Sequence, residues 1–302
     1  MNVYSIILCI LLIFFIICIG IGLYFFHQAI DAKSEKPFIS VNPHDTLTSD
    51  DHWYLQNKFV RHITMEKDGL KLHAGTISNK GNAWVVIVHG YMGRLEDMIS
   101  QARQFYERGY NVLLPDLRGH GRSDGNIVGF GYLDGLDILD WCKELEKQGA
   151  SDILLYGVSM GAASVMMCAD VEGYPIRAII EDCGFSTLKG QLTHIVKRMV
   201  PKVPSGFLIF CLSLVLKIKA GYRISDVDCM KHVSHARVPM LFLHGDHDSF
   251  ISMHMMEDLY AVCPGQKEKM IIKGGRHASN DKLRPEEYWQ CIDDFLNKYV
   301  KI

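Results

Sequence analysis

Three residues far apart in the chain have the types needed for one reaction. They are Ser159 in Gly157-Val158-Ser159-Met160-Gly161, Asp248 in Gly245-Asp246-His247-Asp248, and His277 in Gly274-Gly275-Arg276-His277. A serine hydroxyl is a weak nucleophile until an imidazole can take its proton. The imidazole in turn needs a carboxylate to hold its tautomer and to stabilise the imidazolium that forms. Ser, Asp and His in that order are therefore the parts of an acyl-transfer centre. The glycines serve geometry: a hydroxyl stands above a sheet only where strand turns into helix so tightly that flanking side chains must be almost absent. The oxyanion of a tetrahedral intermediate needs two N–H donors. These are expected from Met160, directly after the serine, and from Tyr91 in His89-Gly90-Tyr91-Met92-Gly93.

Two of the three roles have rivals. Asp246 lies nearer its strand than Asp248, where a carboxylate commonly caps a turn, and Asp182 lies just beyond the strand that follows the serine. Among 14 histidines, His277 is singled out by its place after the last strand, and His247 is its main competitor.

The elements that must position these residues can be read from periodicity. Ile153, Leu154, Leu155 and Tyr156 suit a buried strand, and Ala162, Ala163, Val165, Met166 and Met167 suit the packed face of a helix, so the serine sits in strand, turn, helix. Upstream, residues 59–65 and 70–77 alternate around Asp68-Gly69, a hairpin signal. Residues 84–88 form a short apolar strand that runs into the His89 loop. A helix near 95–108, a strand at 111–114 and a helix near 132–147 follow, the last with Ile138, Trp141 and Leu145 on one face. After the serine, strands at 177–181, 240–244 and 269–273 alternate with a helix around 256–263. A closing helix is spaced by Tyr288, Cys291, Phe295 and Tyr299. The rhythm predicts an α/β fold, a mostly parallel sheet with helices on both faces. Asp248 and His277 would lie in loops at the carboxyl ends of its last two strands, where open sheets place their sites. Residues 184–237 interrupt the alternation and carry the apolar run 207–218, which predicts a helical cap.

Composition bounds the partners. The 302 residues are 48% hydrophobic, and 32 basic against 34 acidic residues leave a net charge of −2, which argues against a nucleic-acid surface. Residues 3–26 contain no charge; as a helix they would be roughly 36 Å long, enough for a hydrocarbon core of about 30 Å. The run is longer than a signal-peptide core, with no basic segment before it and no Ala-x-Ala-like site after it, so a retained single-pass transmembrane anchor is expected rather than a cleaved leader. Lys33 and Lys36 after the span, and seven cysteines scattered without paired spacing, lean toward the cytoplasmic side. The expected organisation is an anchor at 1–30, a polar tether at 31–57, and a catalytic domain at 58–302 with the cap inserted at 184–237.

With serine turn, acid, base and oxyanion loop in this order, residues 59–302 resemble the α/β-hydrolase superfamily. Asp116-Leu117-Arg118-Gly119-His120-Gly121-Arg122-Ser123 and His244-Gly245-Asp246-His247-Asp248 are similar to loops of its bacterial membrane-anchored serine hydrolases, in the serine aminopeptidase-like and cinnamoyl-esterase-like branch. The resemblance implies the α/β-hydrolase fold, Ser159 as nucleophile, Asp248 as acid, His277 as base, and the Tyr91 and Met160 amides as oxyanion hole. It implies no metal and no organic cofactor. The Gly119-His120-Gly121 run lacks the further glycine of a dinucleotide loop and is expected to shape the pocket rim. The expected substrate is a small acyl ester or amide, partly apolar because of the 207–218 run and the anchor. Acyl transfer and aminopeptidase-like amide hydrolysis would use the same centre. A catalytically inactive, membrane-tethered binding scaffold is the alternative from another class.

Overall fold

The alternation becomes one eight-stranded sheet in the computed structural model, which describes residues 2–36 and 47–300. Helix α1 (Val3–Ala29) comes first, followed by α2 (Ser49–Gln56), β1 (Val60–Lys67), β2 (Leu70–Ile77), β3 (Ala83–Val88), α3 (Ile99–Glu107) and β4 (Asn111–Pro115). Then come α4 (Tyr132–Lys147), β5 (Asp152–Val158), α5 (Met160–Met166) and β6 (Ile176–Asp182). A helical excursion of α6 (Leu188–Met199), α7 (Ser205–Ala220) and α8 (Cys229–Val233) precedes β7 (Met240–Gly245), α9 (Met253–Val262), β8 (Lys267–Ile272), α10 (Asn280–Leu283) and α11 (Pro285–Tyr299).

The strand order is β1-β2-β4-β3-β5-β6-β7-β8. β2 pairs antiparallel with both β1 and β4, and every pairing from β4 to β8 is parallel. Parallel strands need helical crossovers, which cover both faces, and so their sequences read as unbroken apolar runs. In β3, Val86 and Val88 face one core, while Val85 and Ile87 face the other; in β5, Leu155 and Leu154 divide the same way. α4 buries Ile138, Trp141 and Leu145, the three residues its spacing marks out. The chain leaves β3 toward β4 on one side and later reaches β5 on the other. That switch opens a crevice beyond the carboxyl ends of β3 and β5.

The stretch expected as a tether behaves differently at its two ends, and its middle, 37–46, lies outside the described residues. Ile30 is fully buried and its carbonyl accepts from Val128 N–H (2.8 Å), while Ala32 N–H donates to Asn126 O (3.0 Å), so the chain leaving α1 is built into the domain. Residues 49–56 form α2, which has too few apolar residues for periodicity to reveal. A capping box between Thr48 and Asp51 sets its start, and Trp53 stacks edge-on against Tyr106 at 5.5 Å. α1 itself is long and apolar enough to cross a membrane. Most of its side chains from Val3 to Ile17 are exposed, whereas Cys18 and Phe26 are buried against the domain.

Candidate active site

β5 ends at Val158 and α5 begins at Met160, which leaves Ser159 alone in the turn at φ 59° and ψ −116°. Such a backbone costs on the order of 1–3 kcal/mol in a residue with a Cβ and persists only where its surroundings hold it. Here Ser159 N–H donates to Asp182 O (2.8 Å) and Ser159 O accepts from Ala163 N–H (3.1 Å). The two glycines of the turn leave no room for side chains: a Cβ on Gly157 would lie 2.2 Å from Gly161 O, and one on Gly161 would lie 2.2 Å from Val88 O. Gly161→Ala should therefore push α5 off β3 and lower turnover about 100-fold, since a shift of about 1 Å in a reacting group costs that much. Gly265→Ala, where a methyl meets nothing within 4 Å, should leave the rate unchanged; steady-state kinetics of the two variants check this.

The structure brings Ser159, His277 and Asp248 into one relay. His277 Nε2 lies 2.8 Å from Ser159 Oγ, and His277 Nδ1 lies 2.7 Å from Asp248 Oδ2. Asp248 Oδ1 accepts from the N–H groups of Phe250 (2.8 Å) and Ile251 (2.9 Å). An ionised carboxylate can only accept, so the ring proton belongs on Nδ1 and Nε2 is free to accept from the serine. Burial pushes the Asp248 carboxyl up, but its bond to His277 and the two N–H groups outweigh that and hold it below the usual range. The loops that carry the acid and the base meet through glycine as well. A Cβ on Gly245 would lie 2.2 Å from Gly275 O, so any side chain there would separate them.

The rivals take other places. Asp246 Oδ1 caps a turn by accepting from Gly274 N–H at 2.6 Å, and His247 is exposed. Asp182 accepts from Asn280 Nδ2 (2.6 Å) and from the Tyr288 hydroxyl (2.8 Å), and burial pushes its carboxyl up to about 6. It fastens the first residues of α10 and α11 beneath the His277 loop.

Ser159 opens into a cavity of about 530 Å³ that is also lined by Gly90, Tyr91, Met98, Val158, Phe250 and His277. Met160 is the first residue of α5, where a helix leaves its N–H outside the ladder. Gly90 brings the other loop close: a Cβ there would be 3.8 Å from Ser159 Oγ. Two histidines unassigned from the sequence hold that loop. His89 donates from Nδ1 to Gly90 O (2.8 Å) and accepts Leu117 N–H at Nε2 (3.0 Å). His120 donates from Nδ1 to Arg118 O (3.0 Å) and accepts Met92 N–H at Nε2 (3.2 Å). Each needs one bare nitrogen, and burial keeps both neutral by lowering their proton affinity, His120 to about 4. The only sequence signal for this pair was that each histidine stands beside a glycine in a loop of interest.

The run 116–123 lies behind that loop, and none of its residues lines the cavity; it is a support rather than the expected rim. Arg118 forks onto Asp137 at 2.7 and 2.6 Å, and Asp116 accepts from the N–H groups of Leu95 (2.8 Å) and Arg122 (3.0 Å). Gly121 is needed at φ 51° because a Cβ would fall 2.1 Å from Asp116 Oδ1.

Glu181, next to Asp182, is fully buried, with Oε2 accepting from Gly184 N–H (2.9 Å) and Oε1 unpartnered. Burial pushes its carboxyl up to about 8 from an ordinary 4.5. The folded state thus holds a proton that the unfolded chain has released. The stability this gives is full below pH 4.5 and is lost as pH rises through 8. In that window each pH unit costs at most about 1.4 kcal/mol. Glu181→Gln should flatten the fall in Tm between pH 5 and 9 relative to the parent chain. Parallel pH profiles of the two proteins would contradict this.

A profile of the alpha/beta hydrolase fold matches residues 83–214, from β3 through the serine turn into α7. Together with the eight-stranded sheet, it shows that the chain has the α/β-hydrolase fold. Among its relatives is the uncharacterized protein YqkD of Bacillus subtilis (strain 168), 28% identical over 221 residues, 70% of each chain. Another is lysophosphatidylserine lipase ABHD12 of Mus musculus, 24% identical over 187 residues, 60% of this chain and 45% of that one. Among solved structures the fold is similar to the esterase Pf2001 of Pyrococcus furiosus, with a TM-score of 0.67 at 20% identity over 85% of this chain and 97% of that one.

Proposed function

We propose that the protein is a membrane-anchored serine hydrolase that cleaves ester or related acyl bonds through an acyl-enzyme on Ser159. The observation that carries this reading is the Ser159–His277–Asp248 relay, with both links at hydrogen-bond distance and the hydroxyl facing a cavity. In the proposed reaction His277 Nε2 takes the proton as Ser159 Oγ attacks the acyl carbonyl. The N–H groups of Met160 and Tyr91 stabilise the oxyanion, and His277 then protonates the departing alcohol. A water deprotonated by His277 attacks the acyl-serine, releases the acid and restores the serine. Every step uses the chain's own groups.

The cavity wall is mixed, with Asp97, Gln101, Asp281 and Lys282 beside Met98, Val158 and Phe250; its apolar part favours a partly apolar acyl group, and a lipase among the relatives supports a lipid ester. The charge-free α1 supplies the anchor. An activity-based fluorophosphonate should label the parent chain and fail to label Ser159→Ala. Equal labelling of both would remove Ser159 from the reaction.

A further inference from the structure

α7 lies along α1 in a fixed register. The rings of Phe14 and Phe207 have centroids 6.2 Å apart, and the Lys219 ammonium sits 5.2 Å over the Phe26 ring. Between them Gly22 packs so closely that a Cβ would fall 2.3 Å from Cys211 O and 2.6 Å from the Val215 side chain. Phe14 with Phe207, Gly22 with Val215 and Phe26 with Lys219 share one offset of 193 residues (207 less 14, 215 less 22, 219 less 26). A constant offset at steps of four or eight means two parallel helices side by side, each presenting one face to the other.

The level at which each helix turns polar is the same. α1 has no charged residue before His27 and α7 none before Lys217, and Lys219 lies beside Phe26. On the side of α7 away from the domain, Phe210 and Ile218 are 57% and 66% exposed, and Phe207 and Leu214 are partly so. Met199, Val200 and Val203, in and near the turn that leads into α7, are exposed as well, and the exposed Lys197, Arg198 and Lys202 stand among them. A row of large apolar side chains in water is costly, and here it runs beside a helix long enough to cross a bilayer. α1 and α6, the helix that leads into α7, are each tied to a loop around Ser159. The Tyr91 hydroxyl donates to Ala29 O at the end of α1 (2.8 Å). Arg198 at the end of α6 donates to Ser249 O, next to Phe250, whose ring centroid is 4.9 Å from that of His277.

We propose that the outer face of α7, Phe207, Phe210 and Leu214, is buried among the acyl chains of the leaflet from which α1 emerges. The cap then lies in the membrane as a monotopic element, and a lipid-borne ester enters the cavity from the leaflet rather than from water. This rests on the reading of α1 as a retained anchor and of Ser159 as the nucleophile.

The full chain, reconstituted in phosphatidylcholine vesicles brominated on the acyl chain, provides the test through two added tryptophans. Leu11→Trp reports on the anchor and Phe210→Trp on the cap; the parent chain, with its four tryptophans, is the baseline. Quenching of both added signals is the expected result. Quenching at 11 without quenching at 210 would overturn the cap proposal and leave the anchor standing, as when a second copy of the chain or another protein covers the face. Quenching at neither would remove the anchor and the proposal with it. Phe210→Ser adds a functional readout. Turnover of a vesicle-borne long-chain ester should fall roughly tenfold, the scale set by taking one phenyl ring out of an apolar phase, while a water-soluble short-chain ester keeps its rate. Equal losses on both substrates, or none on the vesicle, would overturn the proposal.

Discussion

Replacing His277 by alanine is expected to lower ester turnover by about four orders of magnitude while leaving the fold in place. In the proposed reaction the imidazole acts at two proton transfers, and in its absence the Ser159 hydroxyl keeps its proton at neutral pH. The effect on stability should be small, because the ring is 23% exposed and its two polar links are with Asp248 and Ser159 rather than with the core. Activity and thermal melting measured together separate chemistry from folding. The members of such a relay act as a unit, so Ser159→Ala/His277→Ala should be no worse than either change alone. A His277→Ala protein that turns over within tenfold of the parent would refute the assignment of the base.

Asp248→Asn should cost about as much, also near four orders of magnitude, and for a reason visible in the loop. Asp248 Oδ1 is held by two N–H groups, from Phe250 and Ile251. An asparagine must keep its oxygen there and turn its NH₂ toward His277 Nδ1. That forces the ring proton onto Nε2, the tautomer that cannot accept from serine. Asp182→Asn tests the competing assignment. Its carboxylate is engaged by Asn280 and Tyr288, so the change should reduce stability and alter kcat by less than about tenfold, the loss being that of structural hydrogen bonds. If kcat collapsed at 182 and survived at 248, the acid role would pass to Asp182.

The pattern of elements was legible because it is written locally. A strand buried on both faces must be an apolar run, and a serine that stands above a sheet must have glycines beside it. Strands β3 to β8 and helix α4 therefore fall where spacing puts them, within a few residues at their ends. α2 was not legible, because eight mostly polar residues hold their helix through a capping box and two aromatic side chains.

The site divides in the same way. By itself the sequence determined the fold class, the turn around Ser159 and a short set of carboxylates and imidazoles at strand ends, since all of these follow from contacts between near neighbours in the chain. Only the tertiary structure decided that Asp248 rather than Asp246 or Asp182 meets His277, because that depends on β5, β6, β7 and β8 lying in order and on Gly245 and Gly275 touching across two loops. It also decided that His89 and His120 hold the loop of Tyr91, and that α7 runs in register with α1. A helix apolar on every side carries no direction in its periodicity, so its partner is fixed by shape, at places such as Gly22 where no other side chain fits.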